Sequence, residues 1–333
     1  MTTAEQVREH DDLYRARLQH IVPVREPLVL ISQIQRSGGT LLGQLFDGHP
    51  ECHTHPHELS IAYLNKPRAN SLDLTSADRS FALLYEQRMV KRLRSGYRKP
   101  AARSQDPDAD LFPFLFLGGL QRAIFERCFA AGVKRERDVL DCYFTSYFNA
   151  WLDNQNLYAG PKRVVTAFAP RLNRKPAAVE RLFAVYPDGF LISIVREPRA
   201  WFASVRTQKR RYADVEHAIR RWRRSAEATL TARDRHGDRV ILLTYEDLVS
   251  RTGATMAALA DRLGISMAPA LLMPTFNGRP IRANSSYAVE GYGILGNRTR
   301  AYRDSLDEET IARVDELAGD VYERARAAGP VLD

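Results

Sequence analysis

Cysteine and long apolar runs are both scarce in this sequence of 333 residues, and each scarcity excludes a class of protein. Only three cysteines occur, with no close pair among them, so a disulfide-stapled secreted domain is not expected. The longest apolar candidate, Leu111–Leu120, is too short to cross a bilayer. The charged segment Met1–His20 lacks the apolar core of a secretory signal. We therefore predict a cytoplasmic location without a transmembrane segment.

Acidic residues are too few to balance the basic ones: 49 Lys and Arg stand against 40 Asp and Glu, which leaves a net charge of +9. Such a charge suits an anionic small molecule, a nucleic acid or a membrane surface. The densest basic run, Arg206–Arg224, includes only Tyr212 and Trp222 as aromatic residues, unlike nucleic-acid-binding modules. We interpret most of it as a solvated helix face, with docking of an acidic partner as the alternative. No nucleic-acid partner is predicted.

An anion-binding loop is predicted where the apolar run Leu28–Ile31 leads into Gln35–Thr40 and then into a helix. Gly38 and Gly39 permit a tight turn and a close approach of the backbone. A turn that opens a helix presents unpaired N–H groups and the positive end of the helix dipole, which attract anions. A purely structural Gly-Gly turn is the alternative. The lysine of Walker-type loops is missing after the second glycine, so a nucleoside-triphosphate site is not expected.

A second anion site is predicted after Phe190–Val195, an apolar run typical of a buried parallel strand. Arg196 follows the run directly, and Pro198 suits the first position of a helix. Arg196 is therefore expected at the carboxyl end of a strand, the edge where open α/β sheets bind ligands. Ser204 comes eight residues later, on the helix, where it can join Arg196 around one more phosphate.

Together these two segments resemble the sulfotransferases that use 3′-phosphoadenosine-5′-phosphosulfate (PAPS). The resemblance implies that the first loop binds the 5′-phosphosulfate and that Arg196 and Ser204 bind the 3′-phosphate. The loop residues concerned are Arg36, Ser37, Gly38, Gly39, Thr40 and Leu41. The loop arginine and the sequence Asp47–Pro50 are most similar to the branch that contains the tyrosylprotein sulfotransferases. The implied fold is α/β, a P-loop NTPase-like parallel sheet flanked by helices, with a helical insertion.

The resemblance also implies in-line transfer of a sulfuryl group from PAPS to a hydroxyl or amine, which requires a base for the acceptor's proton. Arg36 is the residue placed to stabilise charge on the leaving phosphate. In the related enzymes of this branch the base is a glutamate whose position falls on His57 here, with Glu58 beside it. We predict that Glu58 and His57 share the role, with His55 as the third candidate.

Two other interpretations of this histidine-rich segment stay open. In the first, the segment is a polar loop without chemistry. In the second, it is a metal site, because His53, His55 and His57 alternate and face one way if the chain is extended. The pattern lacks a second, distant pair of ligands, and sulfuryl transfer needs no metal. We therefore predict that PAPS is the only cosubstrate and that no metal is bound.

Three further site residues are carried over from the resemblance. Tyr245 follows the apolar run Val240–Leu243 and corresponds to a tyrosine near the nucleotide, although a tyrosine packed at a strand end is an equal alternative. Ser285 and Ser286 fall in a loop that folds over the 3′-phosphate side in the related enzymes. The acceptor is not identified, since a carbohydrate, a glycolipid and a tyrosine hydroxyl all fit. The oligomeric state is likewise not predicted.

Apolar runs separated by helical patterns indicate a parallel sheet in a single domain over 21–333, behind an N-terminal extension over 1–20. A mostly helical insertion is predicted over about 60–160. Further strands and helices are predicted over Lys162–Phe168, Arg239–Thr244, Gly119–Ala131, Asp141–Asp153, Gly253–Leu263 and Asp307–Ala328. The alternative functions are a P-loop kinase or nucleotide hydrolase, and a nucleotide- or nucleic-acid-binding protein without catalysis. The missing lysine argues against the kinase.

Overall fold

Five parallel strands form the central sheet of the protein. The structure is a computed structural model, and it describes residues 2–60, 71–98, 111–206, 212–282, 292–294 and 299–330. The five strands are β1 (Leu28–Ile31), β2 (Cys52–Glu58), β5 (Val164–Phe168), β6 (Phe190–Val195) and β7 (Val240–Thr244). They lie in the order β2-β5-β1-β6-β7, and every neighbouring pair is parallel. The predicted α/β fold with a parallel sheet is confirmed.

Two short antiparallel pairs and a set of helices surround this sheet. The pairs join β3 (Tyr97–Arg98) to β4 (Leu111–Phe112), and β8 (Thr275–Phe276) to β9 (Arg279–Pro280). The α-helices of the described residues are α1 (Thr3–Gln19), α2 (Gly39–Phe46), α3 (Ala77–Leu84), α4 (Gln87–Leu93), α5 (Gly118–Ala130), α6 (Glu136–Ala150), α7 (Pro176–Val185), α8 (Pro198–Arg206), α9 (Val215–His236), α10 (Tyr245–Ser250), α11 (Thr252–Leu263) and α12 (Glu308–Ala327). No helix of the described ranges is both long and apolar enough to cross a membrane.

Helices cover both faces of the sheet, which explains why its inner strands are continuous apolar runs. Val29 and Ile31 of β1 pack with Leu42 of α2 and with α11 on one face. Leu28 and Leu30, which point the other way because side chains alternate along a strand, pack with α6 and α7. All four residues of β1 are fully buried, as expected for the middle strand of a doubly covered parallel sheet.

The predicted strands are found where the sequence placed them, and of the four predicted helices one differs by several residues while the other three differ by a single residue at one or both ends. The helix expected over Asp141–Asp153 begins at Glu136, where Asp138 accepts hydrogen bonds from the backbone N–H of Arg135. It ends at Ala150, just before Trp151 takes up an extended backbone. The boundary was wrong because the cap lies in a charged stretch that lacks the apolar periodicity of the helix itself.

Strand β2 corrects the loop interpretation of the histidine-rich segment. Cys52–Glu58 is the edge strand of the sheet, and four of its residues, from Cys52 to His55, are buried. Its register against β5 is irregular between Thr54 and Glu58, the stretch that contains Pro56. Proline cannot donate to a strand ladder and is tolerated on edges and at such irregularities. The segment lacks the apolar run of a buried strand, and for that reason the sequence pattern did not reveal it.

The parallel arrangement brings the carboxyl ends of all five strands to one edge of the sheet. β1 ends before the glycine loop, β6 ends before Arg196, and β7 ends before Tyr245. β2 ends at Glu58, which lies opposite Phe168 at the end of β5. Ligands of open α/β sheets bind at this edge, and the glycine loop, Arg196, Tyr245 and Glu58 all lie there.

Candidate functional site

The glycine loop has the backbone conformation of a tight turn. Arg36 and Gly38 both have positive φ angles, of 69° and 95°. Gly38 is also the N-cap of α2, and its carbonyl accepts the first helical hydrogen bond, from Leu42 N at 3.0 Å. The backbone N–H groups at the start of α2 therefore point out of the helix toward the carboxyl edge of the sheet.

Packing explains why both glycines are present. A Cβ atom on Gly38 would lie 2.7 Å from Cδ2 of Tyr245, and one on Gly39 would lie 2.6 Å from Cε2 of Phe168 and overlap the amide of Gln33. Real Cβ atoms do not approach other atoms so closely, so neither position has room for a side chain. Gly39 thus allows the helix to begin directly against β5.

The two predicted phosphate motifs come together in the structure. Nε of Arg36 donates to Oγ of Ser204 at 3.1 Å, and Nη1 of Arg196 donates to the carbonyl oxygen of Arg36 at 3.0 Å. The guanidinium of Arg196 lies over the ring of Tyr245, 4.6 Å from its centroid. We call the loop Arg36–Leu41 together with Arg196, Ser204 and Tyr245 the nucleotide clamp, after the ligand that the sequence motifs predict.

Two tryptophans that the sequence reasoning did not assign hold the clamp from behind. Nε1 of Trp201 donates to the carbonyl of Gln35 at 2.8 Å, and Nε1 of Trp222 donates to the carbonyl of Arg196 at 2.9 Å. Both rings are almost completely buried. The signal that points to them is their scarcity, since the chain has only three tryptophans and two of them bind the backbone of the motifs.

A buried glutamate supports the second motif and was also not assigned. The carboxylate of Glu246 accepts a hydrogen bond from the N–H of Glu197 at 3.2 Å and another from the hydroxyl of Tyr322 at 3.0 Å. Burial raises the pKa of Glu246 to about 7, although the nearby charge of Arg196 acts in the opposite direction. Arg196 is therefore held in place from three helices: directly by Trp222 of α9, and through the neighbouring Glu197 by Glu246 of α10 and Tyr322 of α12.

Electrostatics and unpaired atoms show that the clamp fits an anion. Burial and the neighbouring charge of Arg196 lower the pKa of Arg36, which means that two positive charges are held close together. Oγ of Ser37 and Nε of Arg196 are buried and have no hydrogen-bond partner in the part of the chain that the structure describes. Phosphate and sulfonate oxygens are acceptors that would satisfy both donors and offset both charges.

Glu58 is the exposed member of the predicted base pair. It is the last residue of β2, and Leu59 continues the pairing by donating from its N–H to the carbonyl of Phe168 at 2.7 Å. The ring of Phe168 also lies against Gly39, so only the end of β5 separates Glu58 from the glycine loop. The carboxylate of Glu58 makes no hydrogen bond or ion pair with a described residue.

His57 and His55 instead point into the insertion, where they meet Glu86 at the N-cap of α4. Nε2 of His57 lies 2.6 Å from the hydroxyl of Tyr147 and 3.6 Å from Oε2 of Glu86. Nε2 of His55 lies 3.2 Å from the same Oε2. These three ligand atoms lie within 4.8 Å of one another and are the one group in the described residues with the spacing of a metal site. We call His55, His57 and Glu86 the histidine–glutamate cluster.

The other predicted candidates are placed as follows. His53 is buried against the ring of Phe148, 5.0 Å between centroids, and burial lowers its pKa to about 3. It does not join the histidine–glutamate cluster. Ser285 and Ser286 lie outside the described residues.

Comparison with known proteins gives a family match over most of the chain. The model of the sulfotransferase family matches residues 27–269, a range that includes both motifs of the clamp. No curated protein matches the chain significantly.

Several solved structures are similar to the chain at low identity. The sulfotransferase domain from the curacin biosynthetic pathway is 19% identical, with a TM-score of 0.47 over 87% of this chain and 96% of that one. The sulfotransferase domain of the olefin synthase from Synechococcus PCC 7002 is 19% identical, with a TM-score of 0.44 over 94% and 99%. The sulfotransferase STF9 from Mycobacterium avium is 15% identical, with a TM-score of 0.42 over 96% and 81%. These likenesses are too distant to carry residue roles, whereas the family match over residues 27–269 does not depend on them. The chain therefore belongs to the sulfotransferase family.

Proposed function

We propose that the nucleotide clamp holds PAPS, with the loop Arg36–Leu41 on the 5′-phosphosulfate and with Arg196 and Ser204 on the 3′-phosphate. Members of the sulfotransferase family transfer a sulfuryl group from PAPS, which supplies the activated sulfur. The observation that carries the residue assignment is the contact between the motifs: Arg36 donates to Ser204 at 3.1 Å, and Arg196 donates to the backbone of Arg36 at 3.0 Å. A nucleotide with phosphates at both ends suits two anion sites joined in this way. Tyr245, beside Arg196, would then contact the nucleotide, as would Ser285 and Ser286 if the family pattern extends to them.

Arg36 has the role of stabilising the leaving phosphate. Its guanidinium is held by Ser204, so the forked donors are oriented before the substrate arrives. The backbone N–H groups at the start of α2 point to the same region and contribute the positive end of the helix dipole. Donors that are fixed in advance lower the barrier because they need no reorientation as charge develops on the leaving group.

Glu58 has the role of the base that takes the proton of the acceptor hydroxyl. It is exposed at the carboxyl edge of the sheet, next to the end of β5 that adjoins the glycine loop. His57 is less suited to the task, because both of its ring nitrogens already have partners: the hydroxyl of Tyr147 at 2.6 Å and the carbonyl of Glu58 at 2.8 Å. Through that second contact His57 holds the backbone of Glu58.

The assignment of the base is tested by turnover in two variants of the full chain. Radiolabelled PAPS is supplied with a monosaccharide, a glycolipid or a tyrosine peptide as acceptor, and the labelled product is counted. Glu58→Gln is expected to lower turnover by roughly 10²–10⁴-fold and to leave the affinity for adenosine 3′,5′-bisphosphate unchanged. Glu126→Gln, an exposed glutamate of α5, is the control. Near-normal turnover in Glu58→Gln together with its loss in His57→Gln would transfer the role to His57.

The same set of acceptors tests whether the chain belongs to the tyrosylprotein branch. Asp47–Pro50, which resembles the tyrosylprotein branch, ties the end of α2 to its surroundings: Asp47 accepts from Oγ1 of Thr275 at 2.7 Å, and the ring of His49 contacts the carbonyl of Ser266 at 2.9 Å. These contacts give the motif a structural role near the loop. Labelling of the tyrosine peptide in preference to the sugar and the glycolipid supports the tyrosylprotein branch, and the opposite preference counts against it.

A further inference from the structure

The histidine–glutamate cluster lies in the interior, between the edge strand β2 and the helices of the insertion. The side chains of His55 and Glu86 are 0% exposed and that of His57 is 4% exposed. His55 and His57 come from β2, whereas Glu86 comes from the N-cap of α4, some thirty residues further along the chain. Burying two imidazoles and a carboxylate is costly unless each polar atom has a partner.

The hydrogen bonds of the two rings show which nitrogen carries the proton in each neutral imidazole. Nδ1 of His55 lies 2.9 Å from the carbonyl oxygen of His57, and Nδ1 of His57 lies 2.8 Å from that of Glu58. A carbonyl oxygen only accepts, so each Nδ1 must be the donor. Nε2 of each neutral ring is then an acceptor: that of His57 accepts from the hydroxyl of Tyr147 at 2.6 Å, and that of His55 lies 3.2 Å from Oε2 of Glu86. Nε2 of His55 and Oε2 of Glu86 are therefore two acceptor atoms in contact, with no proton assigned between them.

These two atoms are also unpartnered. Nε2 of His55 and Oε2 of Glu86 are fully buried and are not aligned for a hydrogen bond with each other or with another described residue. The second oxygen of Glu86 is satisfied, because Oε1 accepts from the N–H of Ser60 at 2.6 Å. A cation between Nε2 of His55 and Oε2 of Glu86 would satisfy both atoms, and it is either a proton that makes His55 an imidazolium or a metal ion.

The spacing of the three atoms, all within 4.8 Å of one another, fits a metal ion. A tetrahedral zinc ion with bonds of about 2.0–2.1 Å separates neighbouring ligand atoms by about 3.3 Å. The observed separations from Oε2 of Glu86 are 3.2 Å to His55 and 3.6 Å to His57. Metal-binding histidines usually donate their other ring N–H to a carbonyl or carboxylate, and both rings here already do so.

We propose that His55, His57 and Glu86 bind a divalent transition-metal ion, with zinc the best match to two imidazoles and one carboxylate. Metal binding requires the hydroxyl of Tyr147, 2.6 Å from Nε2 of His57, to release that nitrogen, and its oxygen then becomes available as a fourth ligand. The ion joins the end of β2 to α4 and so fixes the backbone of Glu58 through His57. We assign the ion a structural role, because the side chains of His55 and Glu86 are 0% exposed.

The first test is metal content, which does not depend on any assay of activity. Full-length protein without an affinity tag is purified from zinc-supplemented medium and analysed by inductively coupled plasma mass spectrometry. We expect about one zinc ion per chain after gel filtration, and a metal-free sample prepared with dipicolinate should regain thermal stability when zinc is added. The proposal would be overturned if wild-type protein holds no metal and its melting temperature does not change when zinc is added. A proton between His55 and Glu86 would then be the remaining interpretation of the cluster.

Matched variants locate the ion. Glu86→Gln and His55→Gln are expected to lose the zinc, whereas His53→Gln, a buried histidine on the same strand outside the cluster, is expected to keep it. Tyr147→Phe should weaken zinc binding by roughly 10–100-fold, as removal of groups around a metal typically does. If the cluster variants do not fold, cobalt titration of metal-free wild-type protein decides: visible absorption bands of tetrahedral cobalt support the site, and their absence contradicts it. Zinc that persists in folded Glu86→Gln and His55→Gln would place it elsewhere.

Discussion

The nucleotide clamp and the histidine–glutamate cluster lie on opposite sides of the end of β5 and are built by opposite means. The clamp consists of residues from the loops and helices that follow strands β1, β6 and β7, and its contacts include backbone atoms of the loop. The cluster consists of side chains that meet across the sheet edge from β2 and the insertion. The clamp collects positive charge and leaves buried donors unpaired, whereas the cluster collects buried acceptors.

This difference indicates a ligand-binding role for the clamp and a structural role for the cluster. Donors without a partner and two neighbouring arginines favour an anionic ligand that comes from solvent. Converging acceptors favour a small cation that stays in the interior. Glu58 lies between the two, because its carboxylate is exposed while its carbonyl oxygen is held by His57. Changes in the clamp should therefore alter nucleotide affinity and turnover, and changes in the cluster should alter stability and metal content first.

Among changes to the clamp, the largest effect is expected from Arg36→Asn, since it removes the positive charge beside the leaving phosphate. Asparagine tolerates the positive φ of 69° at this position better than most residues, which limits the disturbance of the loop. Turnover should fall by about 10²–10³-fold in the radiolabelled PAPS assay. The control is Arg171→Asn, which changes another arginine of positive φ, 65°, outside the clamp. Equal losses in both variants would mean that backbone strain, and not the lost charge, is responsible.

A smaller effect, on stability, is expected from Gly39→Ala. The added Cβ would lie 2.6 Å from the ring of Phe168 and overlap Gln33, so the free energy of unfolding should fall by about 1–3 kcal/mol. Gly43→Ala on the same helix is the matched control, because no described residue outside its own helix lies within 4 Å of its Cβ position. That change should raise stability by roughly 0.5–1 kcal/mol, since alanine is the better helix former. Urea unfolding measures both, and similar values for the two variants would contradict the packing account.

The smallest effect concerns Glu246 and its pH dependence. Its pKa is raised from 4.5 to about 7, so the folded state holds this proton more tightly than the unfolded state does. The resulting contribution to stability is complete below the unfolded value and is lost as the pH rises through about 7. Glu246→Gln keeps a neutral side chain at every pH. Its melting temperature relative to wild type should therefore be higher at pH 8 than at pH 5.

The control for this change is Glu323→Gln, an exposed glutamate that pairs with Arg326 on α12. Its difference from wild type should vary little with pH. A difference between Glu246→Gln and wild type that is the same at both pH values would contradict the raised pKa.

Most of the clamp was predictable from the sequence because its geometry is local. An apolar run that leads into glycines or into Arg-x-Pro specifies a strand, a turn and a helix within about fifteen residues. Arg36 and Arg196 then have to lie near each other, since β1 and β6 are neighbours in the sheet. The two supporting tryptophans were not predictable in the same way, because Trp201 and Trp222 donate to backbone carbonyls that no spacing rule identifies.

Most of the histidine–glutamate cluster could not be predicted from the sequence. Alternation suggested that the histidines face one way, but an irregular edge strand with Pro56 does not keep a strict alternation. Glu86 belongs to a charged stretch of the insertion with no motif, and only packing of the insertion against β2 brings it to His55. Residues that meet through long-range packing leave no spacing signal in a single sequence. The single-domain organisation and the cytoplasmic location also stay predictions.

The central claim is that the clamp binds a nucleotide with phosphates at both ends, and titration calorimetry with two ligands tests it most directly. Wild-type protein should bind adenosine 3′,5′-bisphosphate roughly 10–100-fold more tightly than adenosine 5′-phosphate, because a charge-assisted contact to the 3′-phosphate contributes about 1.5–3 kcal/mol. Arg196→Ala should lose most of that preference, whereas Arg223→Ala, which removes a surface pair with Asp320, should keep it. An Arg196→Ala variant that still prefers the bisphosphate as strongly as wild type would contradict the account.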